Sequence, residues 1–253
     1  MTNVETAAAD VLPAGLSQTD VVVQTIKSMI TRGELSAGSR LPIEKDLAVA
    51  LSVSRGSLRE GVRALCIMGV LETRQGDGTY VTSLDSELLL APMAFMVELQ
   101  SPEHRNDLHA VRRVLESEAA ARAALRIDEA DLATAAAILD GVRPVVFANP
   151  VTDHEAVMTA DIAFHRVIAK ASDNGALAAL IDALADRTRL ARRTIGVQHE
   201  DQVRTAYYEH DAILAALVAH EPDRARLLMS HHLLAIEDFV HEDDSLAAAS
   251  ADQ

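Results

Sequence analysis

One cysteine, Cys66, stands in a chain of 253 residues. A single thiol excludes an internal disulfide and a zinc cage built from cysteines, and it points to a reducing compartment, the cytoplasm. Cys66 itself reads as a small filler within a helix. Glycine and proline are sparse, 11 and 7, which leaves little room for long disordered tracts. The longest nearly apolar run, Leu88 to Val97, is closed off by Glu87 and Glu98 and falls well short of the roughly 20 residues that cross a bilayer, so no membrane partner is expected. The opening MTNVETAAAD has neither the cationic start nor the apolar centre of a secretory signal. Residues 1–14 and 244–253 are expected to be disordered tails.

Positive charge is scarce as well. Lys and Arg number 23 against 38 Asp and Glu, a formal charge of −15, which taken over the whole chain argues against a nucleic-acid partner. The distribution overrides that argument. Residues 15–83 hold eight Lys and Arg against seven Asp and Glu, while residues 84–253 hold 15 against 29. Two domains of different electrostatics therefore meet near Ser83, 15–83 and 84–243. Exposed charges more than about 10 Å apart are largely screened at 0.1 M salt, so an acidic second domain does not veto a phosphate-binding face on the first.

What the first segment does have is a sequence of short, well-punctuated elements. Val21, Val22, Ile26, Met29 and Ile30 recur at helical spacing and Gly33 follows as a stop. Ile43 to Leu51 forms a second short helix behind Pro42, whose missing N–H costs nothing in the first turn. After the turn at Ser52 and Val53, Ser54 caps a third helix running to Met68, with Val53 and Leu58 as a hydrophobic staple. Gly69 closes it, and VLETR and TYVTS make two strands about the turn Gln75-Gly76-Asp77-Gly78. A helix, a short turn and a second helix with Arg55, Ser57 and Arg59 in its opening turns suit the major groove, where a recognition helix presents its N-terminal side chains to bases and phosphates. The arginine forks match guanine edges or phosphates, and Ser54 or Ser57 matches phosphate. The plainer alternative is a small helical domain whose arginines only solvate a surface.

The string GELSAGSRLPIEKDLAVALSVSRGSLREGVRALCIMGVLETRQGDGTYV resembles the GntR family of bacterial transcription regulators, whose pattern is G-x-L-x-x-G-x-x-L-P-x-E-x-x-L-A, V-S-R-x-x-L-R-E and G-x-G-T-F/Y-V. The likeness covers residues 18–83. It implies a winged helix-turn-helix in which Arg40, Lys45, Arg55, Arg59 and Gly78 meet DNA, Gly78 by letting the wing backbone approach the minor groove. Two positions depart from the pattern. Ile43 stands where a serine usually caps the second helix, and Gly61 stands where alanine is usual in the third, a change worth about 1 kcal/mol of helix stability.

From Leu84 onward the pattern is entirely helical: six or seven amphipathic helices with breaks near Ser101-Pro102, Ile127-Asp128, Asn149-Pro150, Ser172-Asp173-Asn174, Gln198-His199 and Glu221-Pro222. The fold class is thus mainly α, a winged helix-turn-helix with a small β wing followed by an all-α bundle. Three apolar stripes in the bundle are interrupted by polar groups. Asp161 and His165 share a face with Val157, Phe164 and Ile168; His210 lies mid-stripe among Val203, Tyr207, Leu214 and Leu217; His232 lies among Ala225, Leu228, Ala235 and Phe239. One inward histidine is an ordinary hydrogen-bonded core residue. Three histidines and an aspartate at one depth of a bundle suit a bound divalent metal, zinc, nickel or manganese, because buried polar groups need partners.

This pattern resembles the FCD effector-binding domain of the FadR branch of the same family, whose metal-binding members carry D-x-x-x-H on one helix and two later helical histidines. The resemblance implies Asp161, His165, His210 and His232 as ligands, His232 rather than His231 because Met229 sets the register of M-x-x-H-L. SDNGAL at 172–177 matches the S-x-N-x-x-L turn and VRRVLESEAA at 111–120 the R-x-x-x-E helix, so Asn174 and Arg112 become candidate effector contacts. Arg112 reads equally as a surface arginine paired with Glu116 one turn on. His104, His109, His154, His199, His220 and His241 fall in polar or linker settings and are expected in solvent. The chain is then expected to be a homodimeric regulator that binds an inverted-repeat operator in double-stranded DNA and answers to a small carboxylate metabolite. A metal-dependent hydrolase or lyase is the competing class. No H-E-x-x-H, G-x-S-x-G, P-loop or dinucleotide fingerprint supports it.

Overall fold

Ser17 and Asp20 close a reciprocal capping box at the start of α1 (Gln18–Thr31). In this computed structural model the described residues are 15–98, 105–151, 153–185 and 200–251; the expected tail at 1–14 lies outside them. Helix α2 (Glu44–Ala50) begins at Ile43 without a side-chain cap, as the departure from the family pattern implies, and carries Glu44 and Asp46 in its first turn against the helix dipole. Helix α3 (Arg55–Ile67) starts at Ser54, whose hydroxyl accepts the Ser57 N–H at 3.0 Å. Strands β1 (Leu71–Arg74) and β2 (Gly78–Val81) pair antiparallel, Leu71 opposite Val81 and Arg74 opposite Gly78. Val22, Ile26, Leu47, Leu58, Leu65, Leu71 and Val81 form one buried cluster that holds the three helices against the hairpin.

The remaining helices are α4 (Ser86–Glu98), α5 (Arg105–Ala124), α6 (Glu129–Val146), α7 (His154–Ala171), α8 (175–185), α9 (Glu200–Val218) and α10 (Pro222–Ala251). Asp128 and Asp153 cap α6 and α7. Helix α5 packs along α10 and touches α7 and α9, while α6 packs on α7 and α9. The small residues Ala120, Ala123 and Ala124 let α5 sit close to its neighbours, and Phe164, Ile213, Leu217 and Met229 fill the centre.

Two expectations shift. The chain divides into Met1–Pro92 and Met93–Gln253, not at 83/84. The cause is local: Leu84 packs on the first core, and Gly69, at φ +71, admits the Leu88 carbonyl so closely that a Cβ would collide with it. Residues 244–251, expected as tail, continue α10 instead. Leu246, Ala247, Ala248 and Ala249 are strong helix formers, and extending an existing helix requires no new nucleus. No helix among the described residues is long and apolar enough to cross a membrane.

Candidate functional sites

In the first unit the structure gathers the predicted DNA-facing residues around the start of α3 and the hairpin. Arg55 opens α3 and Lys45 lies in the first turn of α2, both exposed. The Arg59 guanidinium donates from Nε to Glu44 Oε2 at 2.8 Å, so it lies across the turn between α2 and α3. Arg40 donates to the Asp77 carbonyl and sits 3.7 Å from that residue's carboxylate. Gly78 is what permits this: a Cβ there would stand 2.8 Å from Arg40 Nε. Ser54 and Ser57 are tied to one another, their hydroxyl oxygens 2.9 Å apart.

Several partners here carried no signal in the family pattern. Gln18 Oε1 accepts the Ser54 N–H at 2.9 Å and the Ser57 hydroxyl at 3.2 Å, joining the starts of α1 and α3. In the hairpin, the Arg74 guanidinium lies 4.2 Å from the Tyr80 ring centre, and the Tyr80 hydroxyl donates to Asp77 at 2.8 Å. That bond, with some desolvation, holds the Tyr80 phenol above its ordinary ionisation range although Arg40 and Arg74 pull it down. A concavity of ≈ 520 Å³ opens between α2, α3 and the hairpin, floored by Leu47, Leu58 and Val62 and rimmed by Arg40, Glu44 and Arg74.

In the second unit Asp161, His165, His210 and His232 converge, offering one ligand atom each, all within 4.8 Å of one another. His210 Nε2 stands 3.2 Å from His165 Nε2 and 3.1 Å from His232 Nε2, and Asp161 Oδ1 lies 3.8 Å and 3.5 Å from the His165 and His210 nitrogens. All three imidazoles are buried, His232 fully. His231, the neighbour set aside on register, is instead 73% exposed and faces Glu209.

Two carboxylates fix the tautomers. His165 Nδ1 bonds Glu116 and His232 Nδ1 bonds Glu209 at 2.7 Å. A carboxylate accepts, so both Nδ1 atoms carry the proton and both Nε2 lone pairs turn toward the centre. Bonds of about 2.0–2.2 Å to a shared ion would place neighbouring ligand atoms about 3 to 3.6 Å apart. The His165–His210, His210–His232 and Asp161–His210 separations fall in that range, and Asp161–His165, at 3.8 Å, lies just outside it. Burial raises the Glu209 carboxyl above its ordinary range, and the nearby His231 opposes that shift.

The candidate effector contacts divide. Arg112 pairs with Glu116, yet at 1% exposure it is an interior residue and no surface arginine. It holds the carboxylate that holds His165. Asn174 lies elsewhere: its side-chain oxygen accepts the Leu177 N–H at 3.1 Å and caps α8, and among the described residues it makes no hydrogen bond to the four-residue cluster. Of the histidines expected in solvent, His109 is buried at 3%, because it shares the inward face of α5 with Arg112 and Glu116. His220 is exposed, with Nδ1 2.8 Å from the Ala124 carbonyl, and His154 is half-buried. His104 and His199 lie outside the described residues, and so does the side chain of His241.

Comparison with known proteins agrees with both halves. The model for bacterial regulatory proteins of the gntR family matches residues 18–81, and the FCD domain model matches residues 107–235. The HTH-type transcriptional regulator LutR of Bacillus subtilis is 33% identical over 214 residues, spanning 83% of this chain and 95% of its own length. A putative L-lactate dehydrogenase operon regulatory protein of Escherichia coli is 29% identical over 239 residues, 91% of this chain and 87% of that protein. Among solved structures, a GntR protein of Streptococcus agalactiae aligns with a TM-score of 0.59 at 25% identity, over 87% of this chain and 99% of that one. These relatives are regulators, which sets aside the hydrolase or lyase reading. The chain belongs to the GntR family of bacterial transcription regulators, a DNA-binding protein with an FCD domain as its second half.

Proposed function

We propose that this regulator reads an inverted-repeat operator as a homodimer, and that a small carboxylate completing the coordination of a divalent ion in the FCD domain alters its grip on DNA. Regulators of this family bind operator DNA and typically dimerise, and a two-fold protein suits paired half-sites. Arg55 and Arg59 are assigned to base edges or phosphates, Arg40 and Lys45 to phosphates, and Gly78 to the close approach of the wing. Ser54 and Ser57 fix the turn from which the arginines project.

Asp161, His165, His210 and His232 would hold zinc, nickel or manganese. Such an ion supplies a fixed positive charge and open positions for the oxygens of an anion. The observation that carries this reading is the convergence of one ligand atom each from Asp161, His165, His210 and His232, with Nδ1 of His165 and of His232 held by Glu116 and Glu209. The same carboxylates revise the electrostatics. With Asp161, Glu116 and Glu209 set against Arg112 and a dication, the formal charges cancel, so the guest is drawn by short-range coordination and not by a cationic field. That favours an acid with two neighbouring oxygens to offer, a 2-hydroxy acid or a dicarboxylate. The relative named for an L-lactate dehydrogenase operon makes L-lactate the first probe.

Calorimetric titration of L-lactate and of dicarboxylates into metal-loaded and metal-stripped protein tests the pocket, and the same titration into the protein–DNA complex tests the coupling. Metal-dependent binding with a DNA-affinity change worth about 1–3 kcal/mol is expected. An acid that binds only with metal yet leaves DNA affinity unchanged removes the regulatory claim.

A further inference from the structure

We propose that Gln18 belongs to the DNA interface: its amide –NH2 donates to a backbone phosphate of the bound duplex while its amide oxygen holds the start of the recognition helix. The orientation of this amide is set by chemistry. The group facing the Ser54 N–H at 2.9 Å must be an acceptor, because a backbone N–H only donates, so the oxygen points at α3 and the –NH2 points away.

The hydrogen bonds around it close in one consistent way. The Ser57 N–H goes to Ser54 Oγ at 3.0 Å, the Ser54 hydroxyl to Ser57 Oγ at 2.9 Å, the Ser57 hydroxyl to Gln18 Oε1 at 3.2 Å and the Ser54 N–H to the same oxygen. Both serine hydroxyl protons are consumed inside this ring. Of the side-chain donors in this network, the two amide protons of Gln18 remain; its side chain is exposed and its nitrogen makes no hydrogen bond among the described residues. These protons belong to a side chain tied to Ser54 and Ser57, at the start of the helix that, on the function proposed above, meets DNA end-on. An exposed, oriented donor at that position suits the acceptor that every duplex presents there, a phosphate oxygen. Phosphate contacts fix register and carry no base preference, so Gln18 would set how α3 is seated and leave what it reads to the arginines.

The test compares Gln18→Glu with Gln18→Ala in the full-length chain. A carboxylate keeps both acceptor roles toward Ser54 and Ser57 but cannot donate and repels phosphate, whereas alanine loses the clamp as well. Affinities are read by fluorescence anisotropy on a mixed-sequence duplex and on a duplex from the protein's own promoter region. Gln18→Glu should unfold at the wild-type temperature and bind both duplexes about tenfold more weakly, with the ratio between them preserved. Wild-type affinity in Gln18→Glu would reduce Gln18 to a clamp and overturn the proposal. Loss of promoter preference with unchanged mixed-sequence binding would overturn it too, by showing that α3 had moved. Should Gln18→Glu unfold early, methylphosphonate scanning of the promoter duplex decides: one neutralised phosphate must weaken the wild type and leave Gln18→Ala unaffected, and the absence of such a position sinks the idea.

Discussion

Replacing Gly61 with alanine sets two effects of known size against each other. Alanine in a helix interior is favoured over glycine by about 0.8–1.0 kcal/mol, and alanine is usual at this position in the family pattern, so propensity alone predicts a more stable protein. In this structure a Cβ on Gly61 would lie 2.6 Å from Val22 Cγ1, 2.7 Å from Val22 Cβ and 3.2 Å from the Thr19 carbonyl oxygen. Carbon pairs rest at about 3.5–4.0 Å, so α1 would have to retreat by about 0.9 Å or more. Val22 is fully buried, and its Cβ cannot swing away as a long side chain could. Overpacking of this kind costs about 1–3 kcal/mol, which exceeds the propensity gain. Gly61→Ala should therefore lower the stability of the first unit by about 1 kcal/mol. Hydrogen exchange on the intact protein, read in peptides of α1 and α3, measures this locally. The seam that opens also carries Gln18 one turn before Val22 and Ser57 one turn before Gly61, so DNA binding should weaken in parallel. Slower exchange in α1 and α3 of the variant would refute the packing argument.

Other perturbations have equally definite outcomes. Glu116→Gln keeps the volume but lets the His165 tautomer change, and metal affinity should fall about 10–100-fold by competitive chelation, with overall helicity retained. Arg55→Ala should cost about 1–3 kcal/mol of operator affinity; Arg59→Ala should fall at the lower end, since Arg59 must first surrender its bond to Glu44. The raised pKa of Tyr80 means that its bond to Asp77 adds stability to the wing below the unfolded value of 10.0, lost as pH climbs through the folded value. Phenolate absorbance of Asp77→Ala should show one tyrosine moving back down toward 10.0, and an unmoved titration would show that Asp77 is not the cause.

What could be read from the sequence followed from local chemistry. Ser54 as a cap, the glycine-rich hairpin and the inward-facing Asp161, His165, His210 and His232 depend on short-range spacing, and each stands where that spacing put it. What escaped depends on burial or on contacts across long separations. Arg112 and Glu116 at i and i+4 look the same on a solvated face as on an interior one, and only the packing of α5 against α7 turns the pair into a support for His165. Glu209 adjoins His210 in the chain but serves His232 across 23 residues. His109 looked solvated because its sequence neighbours are polar, although the inward face of α5 passes through it. Gln18 and Gly61 meet their partners across 36 to 42 residues, beyond the reach of any periodicity.

Regulation through the second unit depends on a cation among Asp161, His165, His210 and His232. Metal content decides it: wild type, His210→Ala and His232→Ala are dialysed with zinc, nickel and manganese in turn, desalted and analysed for bound ion. Wild type should retain close to one ion per chain for at least one metal and unfold at a higher temperature when loaded, while both variants retain almost none and gain nothing. Less than about a tenth of an equivalent on wild-type protein after reconstitution with every metal would contradict it.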